Sequence, residues 1–352
     1  MQPDYSRQIA LREVGTEGQA RLARSRVLVV GAGGLGSPVL QYLAGAGVGE
    51  LGVVDHDRLD ASNLHRQPMY GRADVGRPKA ELAREAIARL NPAVRVLAHA
   101  ARFDAGNARA LVGAHDLVVD CSDNFRTKFL VNDAAVLERR PAVFASVYQY
   151  EGQIQTYAPD EGHACLRCLW PTATVDGLVG NCAEAGVLGP VPGALGAMQA
   201  IIALECLLGI GTGLRGELLL FDFATFEVSR LRAPRCGECR APGCVRVVDP
   251  GSAACADADL EVEIASLEDA PAQGWEVLDI RGADEFAARP SSATHVPMAE
   301  LLAGGRSLRV DRRYLLVCAS GQRSLAAARQ LRSAGYAVYS LSGGLARLSG
   351  SR

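Results

Sequence analysis

Four short apolar runs set the frame of the chain: VLVVG (27–31), ELGVVD (50–55), HDLVVD (115–120) and AVFASV (142–147). Each is continuous and rich in β-branched residues, as strands buried on both faces are. Between them KAELAREAIARL (79–90) places Ala83, Ala86, Ile87 and Leu90 on one helical stripe. Strands alternating with helices predict a mostly parallel, Rossmann-like α/β sheet covered by helices. GQIQTYA (152–158) and ELLLFDFATFEVSRL (217–231) predict hairpin strands that extend this sheet antiparallel. The apolar run from Gly193 to Gly209 carries only Glu205 as a charge, and its length suits a core helix better than a membrane span.

After Cys239 the pattern changes. RAPGCVRVVDPGSAACADAD is rich in Pro, Gly, Ser and small residues and has little periodicity, which predicts a linker over 241–259. From about Leu260, WEVLDIR (275–281), YLLVCAS (314–320) and AVYSLSG (337–343) predict a second, smaller α/β domain over 260–352. The first domain spans 1–240.

With 352 residues, 49% of them hydrophobic, and a net charge of −2, the chain is expected to pack as two globular domains. That balance argues against nucleic acid and against an anionic membrane as partners. The N-terminus, MQPDYSRQIALREVG, lacks the apolar core of a secretory signal, so a cytoplasmic location is expected. There the ten cysteines are expected as thiols, metal ligands or catalysts.

Gly31, Gly33 and Gly36 form G-x-G-x-x-G, with Gly34 added, between a strand and a helix. Such a turn lets backbone N–H groups approach phosphate at a helix N-terminus. Asp55 ends the next strand, where a carboxylate accepts hydrogen bonds from ribose hydroxyls. To this point an NAD-dependent dehydrogenase and an ATP-using enzyme are both open. Asn63, Arg66, Lys79 and Asp123 follow in order, and two cations, an amide and a carboxylate suit a triphosphate with Mg²⁺ better than a nicotinamide ring.

The run from YSRQI (5–9) through GAGGLG, VVDHDRLDASNLHRQ, GRPKA, DCSDN, CLRC, NCAEAGV and CGEC closely resembles the ubiquitin-activating-enzyme-like adenylyltransferases, the MoeB/ThiF group. The resemblance covers about residues 1–240. It implies a homodimer in which ATP adenylates the C-terminal glycine of a small ubiquitin-like sulfur carrier ending in Gly-Gly. Carried over by motif, Gly33 and Gly34 lie by the phosphates, and Asp55 and Asp57 by the ribose and metal. Asn63, Arg66 and Lys79 contact phosphates, Asp123 is the metal-binding catalytic acid, and Arg7 crosses from the partner subunit. Lys128 departs from the pattern, since relatives often carry arginine there; charge is kept but fork geometry is not.

Cys165 and Cys168 form one C-x-x-C and Cys236 and Cys239 a second, the ligand arithmetic of a closed Zn²⁺ site. The resemblance includes this site; a redox C-x-x-C is the rival reading. Cys182, in a predicted crossover loop over 171–189, matches the place where ubiquitin-activating relatives carry an acyl-accepting cysteine. A reactive thiol and an inert one are both open there. Cys121 and Cys206 are expected in the core, and Cys244 and Cys255 have no assigned role.

YLLVCASGQRS (314–324) delivers Cys318 into a six-residue loop before a helix, which with LDIRGADEF and SLSGGL resembles the rhodanese family over roughly 260–352. Backbone N–H groups and a helix N-terminus around Cys318 suit a thiolate and its persulfide, and Arg323 is expected to add positive charge. Asp279 and Arg281 are expected to buttress the fold. AARPSSATHVP in place of the usual Gly-His-Ile turn, and Leu345 in place of a closing tryptophan, keep open a non-catalytic docking role. A phosphatase is the chemical cousin, but four residues between Cys318 and Arg323 are too few for its C-x5-R loop. The combined expectation is adenylation followed by sulfur transfer from a persulfide, with a cysteine desulfurase or thiosulfate as donor.

Overall fold

A computed structural model describes residues 3–159, 164–170, 186–211, 214, 217–232, 247, 260–302 and 308–349. Two compact units divide the chain, one carrying the elements up to Arg232 and the other those from Glu261 onward.

The first unit is built on an eight-stranded sheet: β1 (Arg26–Val30), β2 (Glu50–Val54), β3 (Arg95–His99), β4 (Leu117–Asp120), β5 (Ala142–Tyr148), β6 (Glu151–Tyr157), β7 (Glu217–Asp222) and β8 (Glu227–Arg232). They lie in the order β3-β2-β1-β4-β5-β6-β7-β8. β1 to β5 pair in parallel and β6 to β8 antiparallel, the predicted architecture. Val27 to Val30 are buried, so β1 packs on both faces. One apolar layer holds Val27, Val29, Leu40, Leu43 and Ile87; the opposite layer holds Leu28, Val30, Leu130 and Val131. On the Lys79–Leu90 helix Ala83 and Ile87 are buried as expected, but Leu82 takes the place foreseen for Leu90, which the last turn carries out into solvent.

β1 and β4 are neighbours whose following helices turn to opposite layers. The sheet therefore has its switch point between their carboxyl ends, where open α/β sheets bind ligands. The Pro190–Leu208 helix is the one described helix long and apolar enough to cross a membrane, with a mean hydropathy of 1.7, and half of it is buried in the unit. It packs on the Gly36–Gly45 helix so closely that a Cβ on Gly196 would come 2.4 Å from the Leu35 carbonyl oxygen. Gly209 ends it in the left-handed conformation.

The second unit is an all-parallel five-stranded sheet of β9 (Glu261–Val262), β10 (Trp275–Asp279), β11 (Thr294–His295), β12 (Arg313–Val317) and β13 (Ala337–Leu341), ordered β11-β10-β12-β13-β9. Leu278, Leu316 and Ala327 pack on one face and Val277, Leu315 and Val317 on the other.

Candidate active site

The glycine loop leaves β1 at Gly31, whose φ is +98° and where a Cβ would meet the Cys121 carbonyl oxygen at 2.7 Å. A Cβ on Gly36 would come 2.1 Å from the Gly31 carbonyl oxygen. These two glycines are required by the tight turn itself. Gly33 is different: the nearest atom to its Cβ position is Gln67 Nε2 at 3.5 Å, so the space above it is open to a ligand. The Ala32 N–H donates to Asp55 Oδ2 at 2.8 Å. Those of Gly33, Gly34 and Leu35 make no hydrogen bond, which leaves a row of orphan donors at a helix N-terminus.

Asp55 directly follows β2, buried, and its other oxygen accepts from the Asp57 N–H at 2.8 Å. Burial pushes its carboxyl above the ordinary range, against the pull of the Ala32 N–H and the Lys79 charge. Lys79 begins its helix with Nζ 2.9 Å from Asp57 Oδ2 and its side chain nearly covered. Asp55, His56 and Asp57 each bring one ligand atom within 4.8 Å of the others. Asn63 is buried and its Oδ1 accepts from the Asp60 N–H at 3.1 Å, closing a capping box on the 3-10 turn Ala61–Asn63. Arg66, half-buried, donates from its guanidinium to the Ser62 carbonyl at 3.1 Å and lies 2.9 Å from His65 Nε2. Its own carbonyl oxygen is 3.5 Å from the Gly34 Cβ position, so this turn runs alongside the loop.

Asp123 is exposed two residues beyond Cys121, the residue that abuts Gly31, and its carboxylate accepts from Asn124 Nδ2 at 3.4 Å. Lys128 turns inward. It is buried against Asp120 and donates to the Ala145 carbonyl at 2.6 Å. The glycines, Asp55, Asp57, Asn63, Arg66, Lys79 and Asp123 therefore gather around the switch point. Arg7 does not: its helix, Ser6–Ile9, packs beside Gln19 and Ala46, at the amino ends of the parallel strands. A cavity of about 360 Å³ lined by Tyr5, Ile9, Gln19 and Val94 marks that opposite end. Cys182, Cys236 and Cys239, with Cys244 and Cys255, lie outside the described residues.

Sequence reasoning missed Gln67 and Tyr70. Gln67 is buried beside Gly33, and its Oε1 has no hydrogen-bond partner. A buried orphan acceptor is costly and waits for a donor such as a bound nucleotide presents. The dipeptide Arg66-Gln67 was the available signal. Cys165 and Cys168 stand with their sulfurs 3.8 Å apart. Two sulfurs of a tetrahedral zinc–thiolate site with Zn–S of about 2.3 Å lie about 3.8 Å apart, so the pair fits that metal.

In the second unit Cys318, buried at the end of β12, accepts at Sγ from the Gly321 N–H at 3.2 Å and the Ser324 N–H at 3.4 Å. Gly344, with φ +62°, closes beneath the loop, where a Cβ would lie 2.4 Å from the Gly321 nitrogen. Arg323 is held by Glu285 through bonds of 2.6 and 2.8 Å, so its charge is shared with that carboxylate and not directed at Cys318 alone. Asp279 and Arg281 form a buried fork, with Ser291 Oγ donating to the same carboxylate at 2.6 Å. Burial raises the Asp279 carboxyl, but these bonds outweigh it and hold the group below its ordinary range.

Comparison with known proteins agrees with both units. The ThiF family model matches residues 5–241 and the Rhodanese-like domain model residues 263–350. A Thermus thermophilus sulfur carrier protein adenylyltransferase is 50% identical over 242 residues, covering 67% of this chain and 89% of that protein. A Drosophila grimshawi adenylyltransferase and sulfurtransferase MOCS3 is 36% identical over 358 residues, 94% of this chain and 79% of its own. Among solved structures, E. coli MccB superposes with a TM-score of 0.60 at 22% identity, over 69% of this chain and 72% of that one, a likeness of fold.

Proposed function

The chain belongs to the ThiF family, and on that premise we propose that it adenylates the C-terminal glycine of a ubiquitin-like sulfur carrier and then transfers sulfur to it from Cys318. The observation that carries the first half is the row of unbonded N–H groups at Gly33, Gly34 and Leu35 at a helix N-terminus, with the space over Gly33 open. These donors bind the phosphates of ATP. The carrier's carboxylate attacks the α-phosphorus, and pyrophosphate leaves with its charge met by Arg66, Lys79 and Arg7. Arg7 sits at the other end of its own sheet, and in this reading it serves the site of a second subunit. Tyr42 and Ile201, 59% and 57% exposed on adjoining helices, offer apolar surface for such a homodimer. Asp123 would hold Mg²⁺, which supplies charge neutralisation to the triphosphate. Cys165 and Cys168 with Cys236 and Cys239 would hold Zn²⁺ as a structural tie.

In the second half, the Cys318 thiolate attacks the outer sulfur of a donor (a desulfurase-bound persulfide or thiosulfate), becoming a persulfide as the desulfurase thiolate or sulfite leaves. The persulfide displaces AMP from the acyl carbon and leaves the carrier joined to Cys318 as an acyl disulfide. A second thiol, for which Cys182 is the candidate, attacks Cys318 Sγ and releases the carrier thiocarboxylate. The Cys182–Cys318 disulfide so formed takes two electrons from an external thiol reductant. The buried Cys318 and the Glu285-bound Arg323 favour one rival, in which the second unit only docks the donor.

Purified chain with a Gly-Gly carrier should exchange labelled pyrophosphate into ATP; no exchange with any such carrier would refute adenylation. Cys318→Ala should keep the exchange and abolish thiocarboxylate formation. If that variant still forms thiocarboxylate, the docking reading stands in its place.

A further inference from the structure

We propose that Tyr70 is a positioning residue of the nucleotide site, its hydroxyl tying the glycine loop to the start of the Lys79 helix. The ring is buried, and the hydroxyl donates to the Ala32 carbonyl at 2.8 Å and lies 3.4 Å from the Lys79 carbonyl. Asp55 holds the N–H of the same residue from the other side. Ala32 is thus bound at both its backbone groups, each to a residue distant in sequence. The next three N–H groups are the ones left for phosphate. A peptide unit free to rotate would swing those donors away from a common target, and each rotation would have to be reversed on binding.

The second contact gives the tie a further use. Lys79 reaches the site from the first turn of its helix, whose backbone is fixed by Lys79 N–H donating to the Asp57 carbonyl at 2.9 Å, and the Lys79 carbonyl takes a minor share of the single phenol proton that Ala32 chiefly holds. One hydroxyl therefore spans the two elements that bracket a triphosphate: the loop of N–H donors and the helix that carries the cation. Burial, with the carboxylates of Asp55 and Asp74, pushes the phenol far above its ordinary range, so it stays a proton donor at every working pH.

The inference rests on the proposed ATP reading, and the test separates the two. Pyrophosphate exchange is measured on the full chain as wild type, Tyr70→Phe and Ser25→Ala. The last removes a comparable hydroxyl bond, Ser25 Oγ to the Arg21 carbonyl at 2.8 Å, away from the loop. Tyr70→Phe should raise the KM for ATP about fivefold to tenfold, the effect of one buried hydrogen bond, and leave the KM for the carrier unchanged. Ser25→Ala should leave both unchanged. The rise in melting temperature on adding saturating Mg-ATP should also shrink in Tyr70→Phe, whatever its melting temperature without ligand. Failure of the wild type to exchange would overturn the ATP reading itself. Exchange by the wild type with an unaltered ATP KM in Tyr70→Phe would overturn the role of Tyr70 alone, as would an equal rise in Ser25→Ala.

Discussion

His115 is a buried imidazole whose Nδ1 donates to the Leu111 carbonyl at 2.7 Å, while Nε2 faces Gly52 without a partner. A Cβ at position 52 would come 2.5 Å from that nitrogen, so the glycine in β2 makes room for the ring. Burial pushes the pKa of His115 below the ordinary imidazole value, with Glu50 pulling the other way and Arg26 and His99 adding to the drop. The unfolded chain's histidine titrates near 6.5. Below that pH the unfolded state binds more protons than the folded one, and stability falls as pH drops toward the folded pKa. The melting temperature should therefore decline between pH 7.5 and 5.5. His115→Gln, which keeps a donor for Leu111 and cannot titrate, should flatten that decline; an unchanged slope would show that other groups carry it. Gln67 makes the complementary point: its orphan oxygen marks a place where the fold tolerates a polar cost beside the ligand space.

Helix Phe125–Leu137 joins the two chemistries of the first unit. Its N-cap is Asn124, next to Asp123, and its middle holds the thiol pair: Asn132 Oδ1 accepts from the Leu166 N–H at 2.7 Å, and Asp133 grips the Arg167 fork at 2.6 and 2.7 Å. Asp133 is fully covered and Arg167 also lies over the Phe129 ring. Asp133→Ala would leave the guanidinium without its buried carboxylate, a loss of about 3 kcal/mol, which is a fall of roughly 5–10 °C in melting temperature for a unit of this size. Calorimetry would read it, and if the thiol pair holds zinc as proposed, release of the metal to a chelator should quicken in parallel. A variant that melts with the wild type would dissolve the link. Elements of this kind show where sequence reading stops. β1, β2, β4 and β5 announce themselves because runs buried on both faces are uninterrupted apolar stretches. β3 does not, because RVLAH is a half-buried edge strand of ordinary composition. The glycine loop was legible because its chemistry is local. Tyr70 and Asp133 act on residues more than thirty positions away, and Lys128 passes for a surface charge until the fold turns it onto Asp120.

For the molecule as a whole, the question is what joining an adenylating unit to a sulfur-bearing one achieves. The sequence predicts a linker over 241–259, and a random-coil chain of that length would have an r.m.s. end-to-end distance of roughly 25 Å. Such a tether presents the second unit to the first at about millimolar effective concentration. A persulfide on Cys318 then meets the acyl-adenylate of its own chain far more often than that of another chain at micromolar concentration. This can be measured by mixing two full-length variants, Asp123→Ala, which keeps the persulfide, and Cys318→Ala, which keeps adenylation. If transfer runs within a chain, the mixture at about 1 μM should make thiocarboxylate at under a hundredth of the wild-type rate, in the ratio of micromolar to millimolar, and the rate per enzyme should climb linearly with protein concentration. A recovered rate per enzyme that is substantial and independent of concentration would mean that the sulfur crosses between subunits. A site proposed to take Arg7 from a second subunit would then take its persulfide from that subunit too, and the tether would matter for reach alone.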